Sequence, residues 1–500
     1  MSLFSRLNPT PAFPEYTGPY RVGTIDVEIP AADIPSPSPL PDSAPSTIAF
    51  RVFYPCEQTP TTRPVRWIPS PQRPTITAFA KFLGAGSTFA SIFSLFPALL
   101  YYITIPALRN APLLDPPTPN QRWPVMFFSH GLAGSRNMYS HICGSLSSHG
   151  LVVIAMDHRD GSSPIQYIRA TKTTESRTVD ALHLPHTPTQ DVYDGRDKQL
   201  RMRLWELAMA HTALLKVDQG EHVDNLDENT SHDRKKREEV LDQFAGKLDV
   251  HEPGKIAFGG HSFGACTTIQ LLKTVFYGTN KPEAAANSLI QLKPDSDLAK
   301  QITSSTPIAL LDLWCLPLRS PSQKWLWENP LPAYAPGGPG GRAIVSILSQ
   351  GFFNWAGNCN DAKRAITPPA NYDGENREPH CYYPASSQHF SQSDFGILFP
   401  YITRRLMKAE EPERLLRLNA RAVLQTFRES GLVIADTTAA DREVDGTDDG
   451  ADKIFANDGS IRGWIQVDVA GNLPNGDIGI EQEGKQAPAD ELMDGTKMEM

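Results

Sequence analysis

Several things are scarce in this chain of 500 residues. Its six cysteines (Cys56, Cys143, Cys266, Cys315, Cys359, Cys381) form no CxxC pair and no cluster, which argues against a zinc site or a disulfide scaffold. The opening "MSLFSRLNPTPAFPEY" lacks the apolar run of a secretory leader, so a cytoplasmic, reducing setting is expected. No basic stripe with interleaved aromatics is present, which argues against a nucleic-acid partner. No internal repeat is visible. Charge is also scarce where it would matter: the last sixty residues, from Asp441, hold fifteen acidic against five basic side chains, so the net charge of -9 resides in the tail. The rest is close to neutral and makes no case for a charged substrate.

Proline, by contrast, is plentiful, with 44 residues concentrated in 30–74, 106–124 and 317–339. Long ordered loops are expected there. Between them lie "YRVGTIDVEI", "TIAFRVFYP", "PVMFFSHG", "LVVIAMDHRDG", "GKIAFGG", "TPIALLDLW" and "RAIVSILSQ", short apolar runs that read as strands. Helical patterns alternate with them: "SRNMYSHICGSLSSHG", ending at Gly150, and an amphipathic stretch with Leu200, Leu204, Leu207, Ala208 and Leu214 near one face. Strands alternating with helices predict an α/β fold with a mainly parallel sheet and helices on both faces. A catalytic unit over 1–432 is expected, with a polar surface insertion at about 218–239. The stretch 433–500 is expected to be an acidic, mostly disordered tail, although "IRGWIQVDV" is compatible with a short strand.

Phe82–Leu108 contains no charged residue, long enough for a membrane span. Pro97 and Pro106 interrupt it, however, and strand-like runs flank it on both sides. If those runs share a sheet, a bilayer cannot separate them. The segment at about 79–108 is therefore expected to be a buried lid or an apolar surface that meets a lipid interface.

The chemistry concentrates at Gly260-His261-Ser262-Phe263-Gly264. A Gly-x-Ser-x-Gly turn between a strand and a helix exposes its serine at a sheet edge, in a strained backbone conformation that leaves no room for bulky flanking residues. A serine hydroxyl needs a base, and the base needs a carboxylate to fix its tautomer. On this kind of turn the chain order is serine, acid, histidine. "TPIALLDLW" supplies Asp312, and "YYPASSQHFSQSDFG" supplies His389 before a helical stretch, with His380 the nearest alternative. The loop "SHGLAG" after an early strand places the Leu132 amide beside that of Phe263 as a pair of oxyanion donors.

Together, "SHGLAGSRNMYS", "LSSHGLVVIAMDHRDGS", "GGHSFGA", "LLDLWCLPL" and "SSQHFSQSDF" resemble the serine-dependent platelet-activating factor acetylhydrolases of the plasma and intracellular type II group, over about Tyr20 to Arg417. The resemblance implies an α/β-hydrolase fold and no metal or other cofactor. It also implies Ser262 as nucleophile, Asp312 as acid, His389 as base, and Leu132 and Phe263 as oxyanion residues. The implied reaction is hydrolysis of a short or oxidised sn-2 acyl ester of a glycerophospholipid, with peripheral contact to a lipid surface. A broader carboxylesterase or acyltransferase, or an inactive lipid-binding protein, are the alternatives. Nothing in the sequence sets the oligomeric state.

Overall fold

The first two expected strands form as read. β1 (Arg21–Pro30) and β2 (Thr47–Cys56) pair antiparallel along their full length in a computed structural model that describes residues 12–82, 98–278, 281, 286–293, 295–443 and 452–469. Further strands are β3 (Pro64–Arg66), β4 (Thr104–Arg109), β5 (Trp123–Ser129), β6 (Val152–Met156) and the hairpin β7 (Ile165–Ile168) and β8 (Arg177–Asp180). Then come β9 (Leu248–Asp249), β10 (Ala257–His261), β11 (Ile308–Leu311), β12 (Ile344–Ile347), β13 (His380–Pro384) and β14 (Trp464–Gln466). Among the described residues twelve of these make one sheet, ordered β14-β13-β12-β11-β10-β5-β6-β2-β1-β4-β3, with β9 beside β5. From β13 to β6 every neighbouring pair is parallel.

Those central strands are apolar on both sides because both faces are covered. Val125 and Phe127 of β5 face one core with Val152 and Ile154 of β6; Met126 and Phe128 face the other with Val153 and Ala155. The first core is closed by α1 (Gln190–Asp218) and α2 (Phe263–Gly278), whose Leu200, Leu204, Ile269 and Leu272 are buried. The second is closed by the short helix Ser140–Ser147 and by Pro412–Glu429, through Ile142, Leu146, Leu418 and Val423. This is the expected α/β-hydrolase layering, and it sets the carboxyl ends of β5, β10, β11, β12 and β13 along one edge, where such sheets carry their sites.

Two expectations need revising. The unit does not end at 432. Residues 433–443 and 452–469 pack onto it: Ile454, Ile461, Trp464, Val467 and Val469 are buried, and β14 pairs with β13. The remaining tail, 444–451 and 470–500, lies outside the described residues. Nor is 218–239 a solvated insertion throughout. Asn225 accepts from the Glu28 amide (3.1 Å) and donates to the Asp26 carbonyl (3.0 Å), and buried Asp227 takes Arg136 and Arg169 at 2.6 Å each. The polar residues find partners on β1 and the neighbouring loops, which removes the penalty of burying them. Residues 219–222 and 231–239, which include the helical turn Arg234–Glu239, have no buried residue. A strand absent from the sequence reading also forms: β13, where prolines bracket "HCYY" and mask any strand-like pattern.

Most of the apolar segment, 83–97, lies outside the described residues. Its last part, Thr104–Arg109, is β4, in register with β1 and β3, and so belongs to the sheet. Among the described residues no helix is long and apolar enough to cross a membrane. All six cysteines are buried and unpaired.

Candidate active site

The serine turn forms where the sequence places it. β10 ends at His261, α2 begins at Phe263, and Ser262 between them has φ of 57°, in the left-handed region that L-residues avoid. Its amide donates to the Leu311 carbonyl (2.8 Å), and its carbonyl accepts from the Cys266 amide (3.1 Å), so the strain is held by the sheet on one side and the helix on the other. The flanking glycines are required by proximity: a Cβ on Gly264 would lie 1.9 Å from the Ser129 carbonyl oxygen, and one on Gly260 would lie 2.5 Å from the Gly264 carbonyl carbon.

Asp312 follows the last residue of β11, also at positive φ (44°), with its amide bonded to the Ile347 carbonyl of β12 (2.8 Å). Its Oδ1 accepts the Ser349 amide, and its Oδ2 accepts His389 Nδ1–H at 2.8 Å. Burial pushes this carboxyl up to about 7, while His261 and the Ser349 donor pull the other way. His389 opens the turn His389–Gln392, which Gln392 fastens to the Ile347 carbonyl (3.2 Å). With Nδ1–H committed to Asp312, Nε2 carries the lone pair. The ring lies between two others, Phe352 at 4.3 Å and 9° and His261 at 4.3 Å and 29°.

The loop after β5 closes over the serine. A Cβ on Gly131 would lie 3.0 Å from Ser262 Cβ, so a side chain there would crowd the serine. The Gly131 amide donates to Tyr139 Oη (3.1 Å), and Tyr139 Oη contacts His261 Nδ1 (2.8 Å). Burial, with His389 next, holds His261 well below the usual imidazole range. At the end of the loop Ala133 takes φ of 58° and donates its amide to the Ser162 carbonyl (2.8 Å). The Leu132 and Phe263 amides donate to no protein group among the described residues. Ser262, Asp312 and His389 are all buried, and a cavity of about 240 Å³ begins at Leu132 and runs between Leu182, Leu184, Pro185 and His186.

The five residues expected from sequence thus come to one end of the sheet. The alternative, His380, begins β13 at the opposite end and pairs with Glu429 (3.0 Å) while stacking on Phe455. Sequence reasoning overlooked His261, Tyr139 and Phe352. Only His261 carried a signal, its place inside the glycine-serine motif. His261, Asp312 and His389 are close enough to share a cation. Their hydrogen bonds to Tyr139 and to one another already occupy His261 Nδ1, His389 Nδ1 and Asp312 Oδ2.

Comparison with known proteins gives a consistent picture. The family described as platelet-activating factor acetylhydrolase, isoform II, matches residues 6–450. A putative phospholipase A2 of Schizosaccharomyces pombe is 27% identical over 448 residues, 83% of this chain and 92% of that protein. The platelet-activating factor acetylhydrolases of Cavia porcellus and Bos taurus are 30% and 32% identical over 263 and 225 residues. Those two alignments cover about half of each chain: 52% of this chain and 52% of the first, 45% and 46% for the second. The family match spans Leu132, Ser262, Asp312 and His389, and the chain belongs to the platelet-activating factor acetylhydrolase isoform II family.

Proposed function

We propose that this protein is a serine esterase that hydrolyses the sn-2 acyl ester of a glycerophospholipid, preferring a short or oxidised acyl chain. Family membership supports the reaction and substrate class. One observation carries the site: a serine held at positive φ at a helix N-terminus, beside a turn whose histidine is oriented by a buried aspartate.

In this reading His389 Nε2 takes the Ser262 hydroxyl proton as Oγ attacks the ester carbonyl. The imidazolium is balanced by Asp312. The carbonyl oxygen, now an oxyanion, accepts from the Leu132 and Phe263 amides, with the dipole of α2 behind Phe263. Collapse breaks the bond to the glycerol oxygen, which leaves as the lysophospholipid alcohol with the proton from His389. Water, deprotonated by His389, then attacks the acyl-serine and releases the fatty acid and the serine hydroxyl. The cavity next to Leu132 is the space available to one arm of the ester. Contact with a lipid surface belongs to the same proposal, supported by the exposure of Tyr102, Tyr401 and Ile402 (64%, 62% and 41%).

The test is a series of phosphatidylcholines with sn-2 chains from acetyl upward, with Ser262→Ala as control. Turnover that is highest for the shortest chains and absent in the variant is expected. Equal rates across the series would overturn the substrate preference, and turnover by Ser262→Ala would overturn the site.

A further inference from the structure

One buried cation touches both segments that carry the proposed oxyanion amides. Arg203 lies mid-way along α1 and is fully buried. Its Nε donates to Asp160 Oδ2 (2.6 Å), one terminal nitrogen donates to the His130 carbonyl (2.7 Å), and the other donates to Ser162 Oγ (2.6 Å). Its guanidinium carbon stands 4.3 Å from the centre of the Phe263 ring. Ser162 is the residue whose carbonyl receives the Ala133 amide, and its hydroxyl donates to Asp160 at 2.5 Å. Arg203 therefore grips the loop on both sides of Leu132: directly at His130, and through Ser162 at Ala133. With its face it grips Phe263.

We infer that Arg203 is a positioning residue that keeps the Leu132 and Phe263 amides aimed at one point. The inference rests on the site reading above. Two donors on separate segments act on one oxygen only if the segments cannot drift, and an ångström of drift costs about 10² in rate. The loop at Leu132 has reason to drift, because Ala133 is held at positive φ. Only a planar, forked, permanently charged group makes divergent hydrogen bonds in one plane while stacking on a ring with its face. Lysine could keep the ion pair with Asp160 but could not do the rest. The competing view makes Arg203 a plain buried ion pair, important for folding and indifferent to rate.

The experiment separates the two by counting sites before measuring rates. Wild type, Arg203→Lys and Ser262→Ala are titrated to completion with a fluorophosphonate. Turnover of a short-chain nitrophenyl ester is then expressed per titrated site, and inhibition by a trifluoromethyl ketone, which forms a tetrahedral adduct, is measured alongside. For Arg203→Lys we expect kcat per site to fall about 10- to 100-fold with KM within about twofold, and inhibition by the ketone to weaken by the same factor as kcat/KM. Fewer sites, each with wild-type kcat and inhibition, would overturn the inference. If Arg203→Lys yields no titratable protein, Arg203→Gln combined with Asp160→Asn, which leaves no unpaired charge, is read in the same way. Failure of both to fold assigns Arg203 to the core and overturns the inference as well. Turnover by Ser262→Ala would instead overturn the site reading, whatever Arg203 does.

Discussion

Among the described residues serine, histidine and carboxylate come together more than once, and two of these arrays, an upper and a lower one, lie at the ends of neighbouring strands β10 and β5. In the upper one Asp312 receives His389, and Ser262 stands on the turn beside them. In the lower one Glu206 Oε2 bonds His158 Nδ1 at 2.8 Å, and His158 Nε2 bonds Ser129 Oγ at 2.8 Å. The lower array is hydrogen-bonded from carboxylate through imidazole to serine. It lacks what the backbone gives the upper one. Ser129 is the last residue of β5, in register with Gly260 of β10, and is not among the residues at positive φ. It has no helix N-terminus behind it, and its carbonyl is packed against Gly264. Ser262 directly precedes a helix of sixteen residues, with the Phe263 amide free to donate. On the proposed reading, what distinguishes the upper array is a main chain placed to stabilise a negative oxygen. The same residue types in the body of a sheet simply satisfy one another.

The largest effects test this contrast at the serines. Ser262→Ala should lower ester turnover on the order of 10⁶-fold, with thermal stability near wild type. Ser129→Ala should keep most of its turnover and lose about 1–3 kcal/mol of stability, because it leaves His158 Nε2 buried without its partner. Loss of turnover per folded molecule in Ser129→Ala would break the comparison.

The acids come next. Asp312→Asn should reduce kcat by about 10⁴, since an amide at this position favours the wrong tautomer of His389. Glu206→Gln should leave kcat per folded molecule close to wild type, because His158 faces no substrate in this reading. Steady-state rates on one ester, normalised to folded protein by near-ultraviolet circular dichroism, decide both. A kcat that falls equally in the two variants would mean that the lower array takes part in catalysis.

The upper array was legible in the sequence because chain order and local context both act over short distances. A strand, five residues and a helix define the turn, Asp312 follows the legible strand β11, and His389 followed from chain order alone, since β13 before it has no strand-like pattern. The lower array was not legible, since Ser129, His158 and Glu206 belong to a strand end, a loop and a helix interior, and no spacing rule joins them. Arg203 left a faint trace. With Arg196, Leu200 and Leu207 it falls at helical spacing on the buried face of α1, where a cation needs a partner, but the sequence does not say that the partners are His130, Ser162 and Phe263. The insertion at 218–239 is misleading for the opposite reason: composition counts polar residues, and only the fold supplies Arg136 and Arg169 to Asp227.

The smallest expected effect separates the arrays by titration. Burial pushes Glu206 from an ordinary carboxyl value up to about 8, with Arg159 and its amide opposing. A carboxyl that holds its proton more tightly folded than unfolded gives stability that is fully present at acid pH, below its unfolded value of about 4.5, and lost as pH rises through about 8. Asp312, up to about 7, behaves in the same direction, so the wild-type trend alone would not identify Glu206. The difference between wild type and Glu206→Gln does, because the amide cannot titrate and Asp312 is common to both. Between about pH 5 and about pH 9 the urea midpoint should therefore fall further for wild type than for Glu206→Gln. Equal falls would mean that Glu206 is already ionised at neutrality, held by Arg159 and Arg203. The lower array would then be a charged anchor for the loop that carries Leu132, tied to catalysis through Arg203.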